Sequence, residues 1–263
     1  MRNALKDKLA KGNVAVGFGL RWPDPTQMEA CGRCGLDFVR IEGEHGVASY
    51  QDLAHLVWAA GRTGITPTAR VPGNVEHEIL HYLDAGIQAI TIPHIRSKED
   101  AEQAVRFAKH WPLGRRGDNF PGRASLYGKG LSQREYYQAA NDTTMVIALI
   151  EDIEGVDAVE QIVRVPGVDA IDVGPYDLGQ SMGLPDPKLV DEAVQKVVRA
   201  AVGAGLPVGV GTAGTWRNQP NVRKWMEMGC RYFLTGGFFE FGASEAIKVF
   251  GAIGAECGVV KKE

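Results

Sequence analysis

Short apolar runs alternate with helix-period segments along nearly the whole chain, and this alternation restricts the fold more than any other feature of the sequence. Val14-Ala15-Val16-Gly17-Phe18-Gly19-Leu20 reads as a strand, and Pro25 opens a helix that stops near Gly35. A second strand, Phe38 to Ile41, leads to Ser49 as the N-cap of a helix running through Ala60. Pro67 to Val71 forms a third strand, with Asn74 capping a helix from Val75 to Leu83, and Ala89 to Pro93 a fourth, with Ser97 opening the helix that ends near Lys109. The rhythm breaks between Pro112 and Asp142, read as a long loop that is either functional or disordered. It resumes with strands Met145 to Ile150, Ala170 to Val173, Pro207 to Gly211 and Tyr232 to Leu234. Helices fall at Val156 to Val163, Leu189 to Val202, Val222 to Met228 and Glu245 to Ile253. Eight strand–helix units in roughly 250 residues are the arithmetic of a TIM (β/α)8 barrel. A doubly wound open sheet is the competing topology. No linker or compositional step divides the chain, so a single domain over residues 1–263 is expected.

Composition narrows the function classes. With 29 basic and 32 acidic residues and a net charge of −3, the chain carries no basic footprint for nucleic acid. No stretch approaches the roughly 20 apolar residues of a membrane helix, and the first residues lack the apolar core of a secretory signal, so a cytoplasmic enzyme is expected. Four cysteines include Cys31-Gly32-Arg33-Cys34, read as buried structural thiols because the pair lies late in a helical pattern and no second ligand pair accompanies it.

In a barrel, function sits where strands end. Strand two is followed by Glu42-Gly43-Glu44-His45, strand three ends in Arg70, strand five runs into Glu151-Asp152, and strand six into Gly174-Pro175-Tyr176-Asp177. Arg70 and Glu151 follow apolar residues, where a charge is costly without a partner. Glu151 and Asp177 can together hold a hard divalent cation, with oxygen ligation favouring Mg2+, Mn2+ or Co2+. A 2-oxo acid fits the remaining positions, its enolate stabilised by the cation and by Arg70. His45 is the natural proton carrier, with a nearby carboxylate to orient its ring. The amides of Tyr176 and Asp177 are the donors available to a substrate carboxylate, since Gly174 permits close approach and Pro175 has no N–H. Lysines such as Lys98, Lys109, Lys129, Lys188, Lys196, Lys224 and Lys248 fall in helices or loops and none in a strand, so enolate chemistry is preferred to an imine.

Ile41-Glu42-Gly43-Glu44-His45-Gly46, Ala69-Arg70-Val71-Pro72-Gly73, Leu83-Asp84-Ala85-Gly86, Ile92-Pro93-His94-Ile95, Leu113-Gly114-Arg115-Arg116-Gly117, Ile150-Glu151 and Gly174-Pro175-Tyr176-Asp177-Leu178 occur in the order that resembles the HpcH/HpaI aldolase family. The resemblance implies a metal-dependent class II pyruvate aldolase on a TIM barrel, cleaving or forming 4-hydroxy-2-oxo acids from pyruvate or hydroxypyruvate and an aldehyde. It also implies a homo-oligomer, a hexamer or a trimer or dimer of it, with the last helix exchanged onto a neighbouring subunit. Carried onto this chain, it makes Glu151 and Asp177 the metal ligands, Arg70 the enolate-stabilising arginine, and His45, with Glu42, the acid–base pair. Gly174, Pro175, Tyr176 and Asp177 form the carboxylate cradle, and Asp84 and Arg123 reach a site across a subunit interface or form structural salt bridges.

The chain departs from the family where Glu42 replaces the usual Asp, where Leu149 replaces a Gln two residues before the metal-binding Glu, and where Thr235-Gly236-Gly237-Phe238 replaces an acidic pattern. Trp22, Tyr176 and Phe238 are expected on the aldehyde side of the pocket. Alternative readings are oxaloacetate decarboxylation, an acyl-CoA lyase of the citrate-lyase type with Arg115, Arg116 and Arg123 as its basic rim, and an oxo-acid-binding protein without chemistry. A phosphate-binding barrel enzyme, using Gly211-Thr212-Ala213-Gly214 and Thr235-Gly236-Gly237, completes them.

Overall fold

The structure is a computed structural model that describes residues 2–211 and 219–257. Its elements, in chain order, are α1 (Ala4–Ala10), β1 (Ala15–Leu20), α2 (Pro25–Arg33), β2 (Phe38–Glu42), α3 (Tyr50–Gly61), β3 (Thr66–Arg70), α4 (Glu76–Ala85), β4 (Ala89–Ile92) and α5 (Lys98–Ala108). They continue as α6 (Gln133–Thr143), β5 (Met145–Ile150), α7 (Ile153–Ile162), β6 (Ala170–Val173), α8 (Pro175–Ser181), α9 (Pro187–Gly203), β7 (Val208–Val210), α10 (Gln219–Glu227), β8 (Tyr232–Leu234) and α11 (Phe238–Cys257). The strands pair in parallel in sequence order and β8 closes onto β1, which settles the topology as a (β/α)8 barrel rather than an open sheet. Strands such as Met145–Ile150 are buried along their whole length, as parallel strands covered by helices on one side and packed on themselves on the other must be.

Two apolar clusters follow from that geometry. The larger fills the annulus between strands and helices. The smaller lies inside the barrel at the N-terminal ends of the strands, where Phe38, Ala89, Met145, Ile147, Ala170 and Tyr232 meet Leu5 and Leu9 of α1. Asn3 caps α1 through its side-chain oxygen, and its amide nitrogen donates to the Gln88 and Thr143 carbonyls, so α1 is stitched across that end as a plug. The Phe38 and Tyr232 rings stack inside the barrel with centroids 4.6 Å apart. Gly17 and Gly209 make this possible, because a Cβ at either would sit 2.5 and 2.3 Å from those rings.

Several local expectations need correction. Residues 112–142 are not one irregular loop: they hold a 3-10 turn at Arg123–Ser125 and most of α6, whose Ser132–Glu135 capping box lies inside the stretch read as structureless. The N-cap of α4 is Val75, and the Asn74 amide instead donates to the Asp100 carbonyl. The short helices α1 and α8 have too few residues to show a period, and α11 begins at Phe238, earlier than the expected Glu245. Cys31 and Cys230 are buried, but Cys34 is exposed at the C-cap of α2, so the thiol pair is not wholly internal. Thr212, Ala213 and Gly214 of the candidate phosphate loop lie outside the described residues. Among the described residues, no helix is long and apolar enough to cross a membrane.

Candidate active site

Register sets the first contact of the mouth. Glu42 and Arg70 end neighbouring strands and are paired across the β2–β3 ladder, both facing inward. The Arg70 Nε donates to both Glu42 oxygens at 3.0 and 2.9 Å, and Nη2 lies 2.8 Å from Glu42 Oε2. Nη1 of the same guanidinium is 3.0 Å from Glu44 Oε2, close enough for an ion pair without hydrogen-bond alignment. Burial works against the Glu42 charge, yet the hydrogen bonds and charge of Arg70 outweigh it and hold the carboxyl below its ordinary range.

The loop after β2 turns tightly around that carboxylate. Glu42 Oε1 accepts the backbone N–H groups of Glu44 and His45 at 2.9 and 3.1 Å. Gly46 must be glycine here, since a Cβ would lie 1.9 Å from the Glu42 carbonyl oxygen. Glu42 therefore fixes the His45 backbone and Arg70, not the His45 ring. That ring is exposed, with Nε2 3.9 Å from Glu44 Oε2.

Glu151 continues inward from β5 and is 2% exposed. One oxygen, Oε1, accepts the His94 backbone N–H at 3.1 Å. The other, Oε2, faces Gly174, where a Cβ would stand 2.9 Å away, and has no hydrogen bond to a described residue. Burial pushes the Glu151 carboxyl up to about 7, even with His94 and Arg70 opposing it. The structure thus sets beside Gly174 a buried carboxylate whose neighbouring cations do not offset its desolvation.

His94 was absent from the sequence-derived site, though it stands in one of the family-like motifs. It follows β4 with φ +54, a backbone conformation that side chains other than glycine rarely adopt, and this aims its N–H at Glu151. Its ring Nδ1 lies 2.9 Å from Asp152 Oδ2 and its Nε2 3.4 Å from Glu44 Oε1. Against its own burial, Asp152, Glu151 and Glu44 raise the imidazole pKa. Asp152 is held low despite burial by Arg96 and His94. Glu44, His94 and Glu151 each offer a ligand atom, all within 4.8 Å of one another, so this cluster is a metal-capable one.

Asp177 lies in the first turn of α8, exposed, with no hydrogen bond or ion pair to a described residue. Gly174, Pro175 and Tyr176 precede it, and the Gly174 N–H is spent on the Ile150 carbonyl. As first-turn groups, the Tyr176 and Asp177 amides have no intrahelical acceptor and are free to donate to a ligand. Among the aromatic residues expected on the aldehyde side, Tyr176 is exposed, Trp22 tilts against Phe239 with centroids 4.9 Å apart, and Phe238 packs edge-on against Phe18.

Asp84 and Arg123 do not join this constellation. Asp84, near the end of α4, accepts from Arg116 and Asn119, and the Arg123 guanidinium lies over Trp58. Arg115 pairs with Glu76 on the outside of the barrel. A cavity of about 570 Å3 lies beside Arg116 and Arg123 with Ile65, Pro67 and Gln88, at the N-terminal ends of the strands. Thr235 donates to the Gly17 carbonyl and Gly236 accepts from the Gly19 N–H, so the stretch after β8 is tied to β1.

With the barrel and this charged mouth in view, comparison with known proteins is direct: residues 20–231 match the signature of the HpcH/HpaI aldolase/citrate lyase family. The chain belongs to this family. It is 30% identical over 240 residues to the 5-keto-4-deoxy-D-glucarate aldolase of Escherichia coli O139:H28, covering 89% of this chain and 90% of that one. An HpcH/HpaI aldolase/citrate lyase family protein from Burkholderia cenocepacia J2315 superposes with a TM-score of 0.87 at 30% identity, covering 95% and 99% of the two chains. Citrate synthase SbnG superposes at 0.84, also 30% identical, over 98% and 99%. This HpcH/HpaI protein is accordingly a carbon–carbon lyase of the aldolase type on a TIM barrel. The expected charges at the strand ends were readable from position; the His94 contribution was not, because it depends on a left-handed backbone angle that spacing does not encode.

Proposed function

We propose that this HpcH/HpaI protein is a divalent-metal-dependent class II aldolase that cleaves or forms 4-hydroxy-2-oxo acids, with pyruvate or hydroxypyruvate and an aldehyde as the other side of the reaction. The observation that carries the reading is Glu151: a buried carboxyl in the mouth, pushed up to about 7, with one oxygen unengaged toward α8. Such a group fits a cation, and its oxygen donors suit Mg2+, Mn2+ or Co2+. Glu151 and Asp177 would hold the ion. A cation bound there supplies Lewis-acid polarisation of a 2-oxo group.

The rest of the chemistry belongs to the chain. Arg70, fixed by Glu42 and Glu44, offers a positioned positive charge to an enolate oxygen without reorganising. The Tyr176 and Asp177 amides donate to the substrate carboxylate. His45, whose exposed ring lies near Glu44, would move a proton to or from the hydroxyl of the 4-hydroxy acid. The only buried lysine among the described residues, Lys109, donates to the Asn141 and Thr144 carbonyls and pairs with Asp169, beneath the N-terminal ends of β5 and β6, away from the mouth where an imine would form.

We further read the protein as a cytoplasmic homo-oligomer. Beyond the first turn of α11, where Phe238 and Phe241 meet Phe18, the helix leaves Ile247, Val249 and Phe250 exposed. Of these, Ile247 and Phe250 lie one turn apart on the same side of the helix, and an apolar patch of that kind suits a second copy of the chain.

Pyruvate release from short 4-hydroxy-2-oxo acids, followed with and without chelator, tests the reading. Turnover is expected to stop on chelation, to return with Mg2+, Mn2+ or Co2+, and to fall by about 100-fold or more in Arg70→Ala. Turnover indifferent to both treatments would contradict it. Oxaloacetate decarboxylation passes through the same enolate and is separated by its carbon dioxide product.

A further inference from the structure

Arg40 is a charge in the middle of the barrel that the chemistry above leaves unused. It lies between Phe38 and Glu42 on β2, on the same inward face as both. Its partner, Asp172, is on β6, four strands away in a closed ring of eight and hence on the opposite wall. Arg40 Nη1 reaches Asp172 Oδ2 at 2.6 Å, so the side chain spans the lumen beneath Glu42, Arg70 and Glu151. Asp172 is itself anchored, with Oδ1 accepting the Val173 N–H at 3.0 Å.

A guanidinium carries five N–H donors. Arg40 spends one on Asp172, and the Tyr232 hydroxyl stands beside it as a second, weaker partner. Arg70 offers the contrast, with all three nitrogens engaged by Glu42 and Glu44. The Arg40 side chain keeps 11% of its surface. Leu5 and Leu9 of α1 close the lumen on the Phe38 side of Arg40, and Glu42 with the mouth lies on the other. The acids nearest to Arg40 are Asp172, which it already holds, and Glu42, which is committed to Arg70. Beside the guanidinium, the buried Tyr232 hydroxyl and Thr91 Oγ1 face each other and Arg40 without well-formed hydrogen bonds. The floor of the site is therefore a fixed cation with donors to spare, flanked by two weakly satisfied hydroxyls.

We propose that Arg40 contacts the substrate and sets its specificity, taking an oxygen acceptor, carboxylate or hydroxyl, carried on the carbon next to the keto group of the 2-oxo acid. This rests on the mouth binding 2-oxo acids, as proposed above. Pyruvate, with a bare methyl at that carbon, leaves the Arg40 donors unmet. A 3-substituted donor satisfies them.

The test compares dissociation constants of the Mg2+-loaded protein for pyruvate, hydroxypyruvate and oxaloacetate, read from tryptophan fluorescence at first mixing, before turnover. Hydroxypyruvate and oxaloacetate separate the hydroxyl from the carboxylate. The native protein is expected to prefer at least one of them over pyruvate by about tenfold, the scale of one charge-assisted hydrogen bond. Removing Arg40 alone strands Asp172, so the main variant is the double replacement Arg40→Met with Asp172→Leu, and Arg40→Lys is the companion that retains the ion pair. In both, the preference should collapse to within about twofold while pyruvate binding holds within about threefold. An unchanged preference, a native protein that does not discriminate, or loss of pyruvate binding in step with the others would each overturn the proposal. The last would leave Arg40 a strut only. Failure of the native protein to bind all three acids would bring down the 2-oxo-acid reading with it.

Discussion

A carboxylate at 2% exposure is costly to ionise unless a cation stands beside it, and the His94 N–H and ring, 3.6 Å from Glu151 Oε1, together with Arg70 do not outweigh the burial. Position in the sequence was enough to single it out, because an acid after the apolar run Val146 to Ile150 has few other uses. The partners around it were less legible. His94 enters through a left-handed backbone angle and Glu44 through an ion pair with Arg70, neither of which spacing encodes. Both ring nitrogens of His94 face carboxylates, which marks it as a cationic clamp on Glu44 and Asp152 in preference to a metal ligand. Mn2+ titrations followed by electron paramagnetic resonance should accordingly show Glu151→Gln and Asp177→Asn each weakening binding by about tenfold or more, and His94→Gln by much less. The same titration should weaken on acidification: with the Glu151 carboxyl near 7, protons compete with the ion below that pH, about tenfold per unit, and cease to compete above it. Were His94→Gln the damaging substitution and Asp177→Asn harmless, the ion would belong to the Glu44, His94 and Glu151 cluster.

At the scale of elements, strands and amphipathic helices were read where period and caps agree, as in α3, whose Ser49 side chain accepts the Asp52 N–H in a capping box. The misreadings have one physical origin. A seven-residue helix such as α1 or α8 completes too few turns for a period to emerge, and its existence depends on what it packs against: α1 on the lower lumen, α8 on α9, where Gly179 abuts Val190. Within residues 112–142, α6 was hidden because its sequence is mostly polar, with Tyr136 and Ala140 as its few buried contacts. The last helix poses the reverse case, being more apolar than its own barrel uses. Substituting Ile247 and Phe250 together by Glu is expected to dissociate the protein into smaller species in light scattering while leaving its circular dichroism unchanged. A native protein that is already monomeric would contradict that assignment.

For the molecule as a whole, the closed barrel makes the site possible by placing charged residues from distant parts of the chain on one rim, with an apolar plug beneath. Arg40 to Asp172 across the lumen and Glu42 to Arg70 along the wall are contacts between positions 132 and 28 residues apart. Rhythm revealed the barrel but not the lumen-spanning pair, since which inward residues meet depends on closure and shear, not on any local pattern. The same architecture separates functions by end: the mouth gathers the acids and Arg70, whereas Asp84, Arg116 and Arg123 lie outside the barrel and the cavity beside them opens near the opposite end. The central claim is that this mouth forms an enolate from a 2-oxo acid with the help of a cation at Glu151. Proton exchange at the pyruvate methyl group in deuterated water, followed by nuclear magnetic resonance, reads that step without any aldehyde. Exchange should be rapid with Mg2+ or Mn2+, cease on chelation, and be lost in Glu151→Gln; exchange that persists through chelation or in that variant would contradict the account.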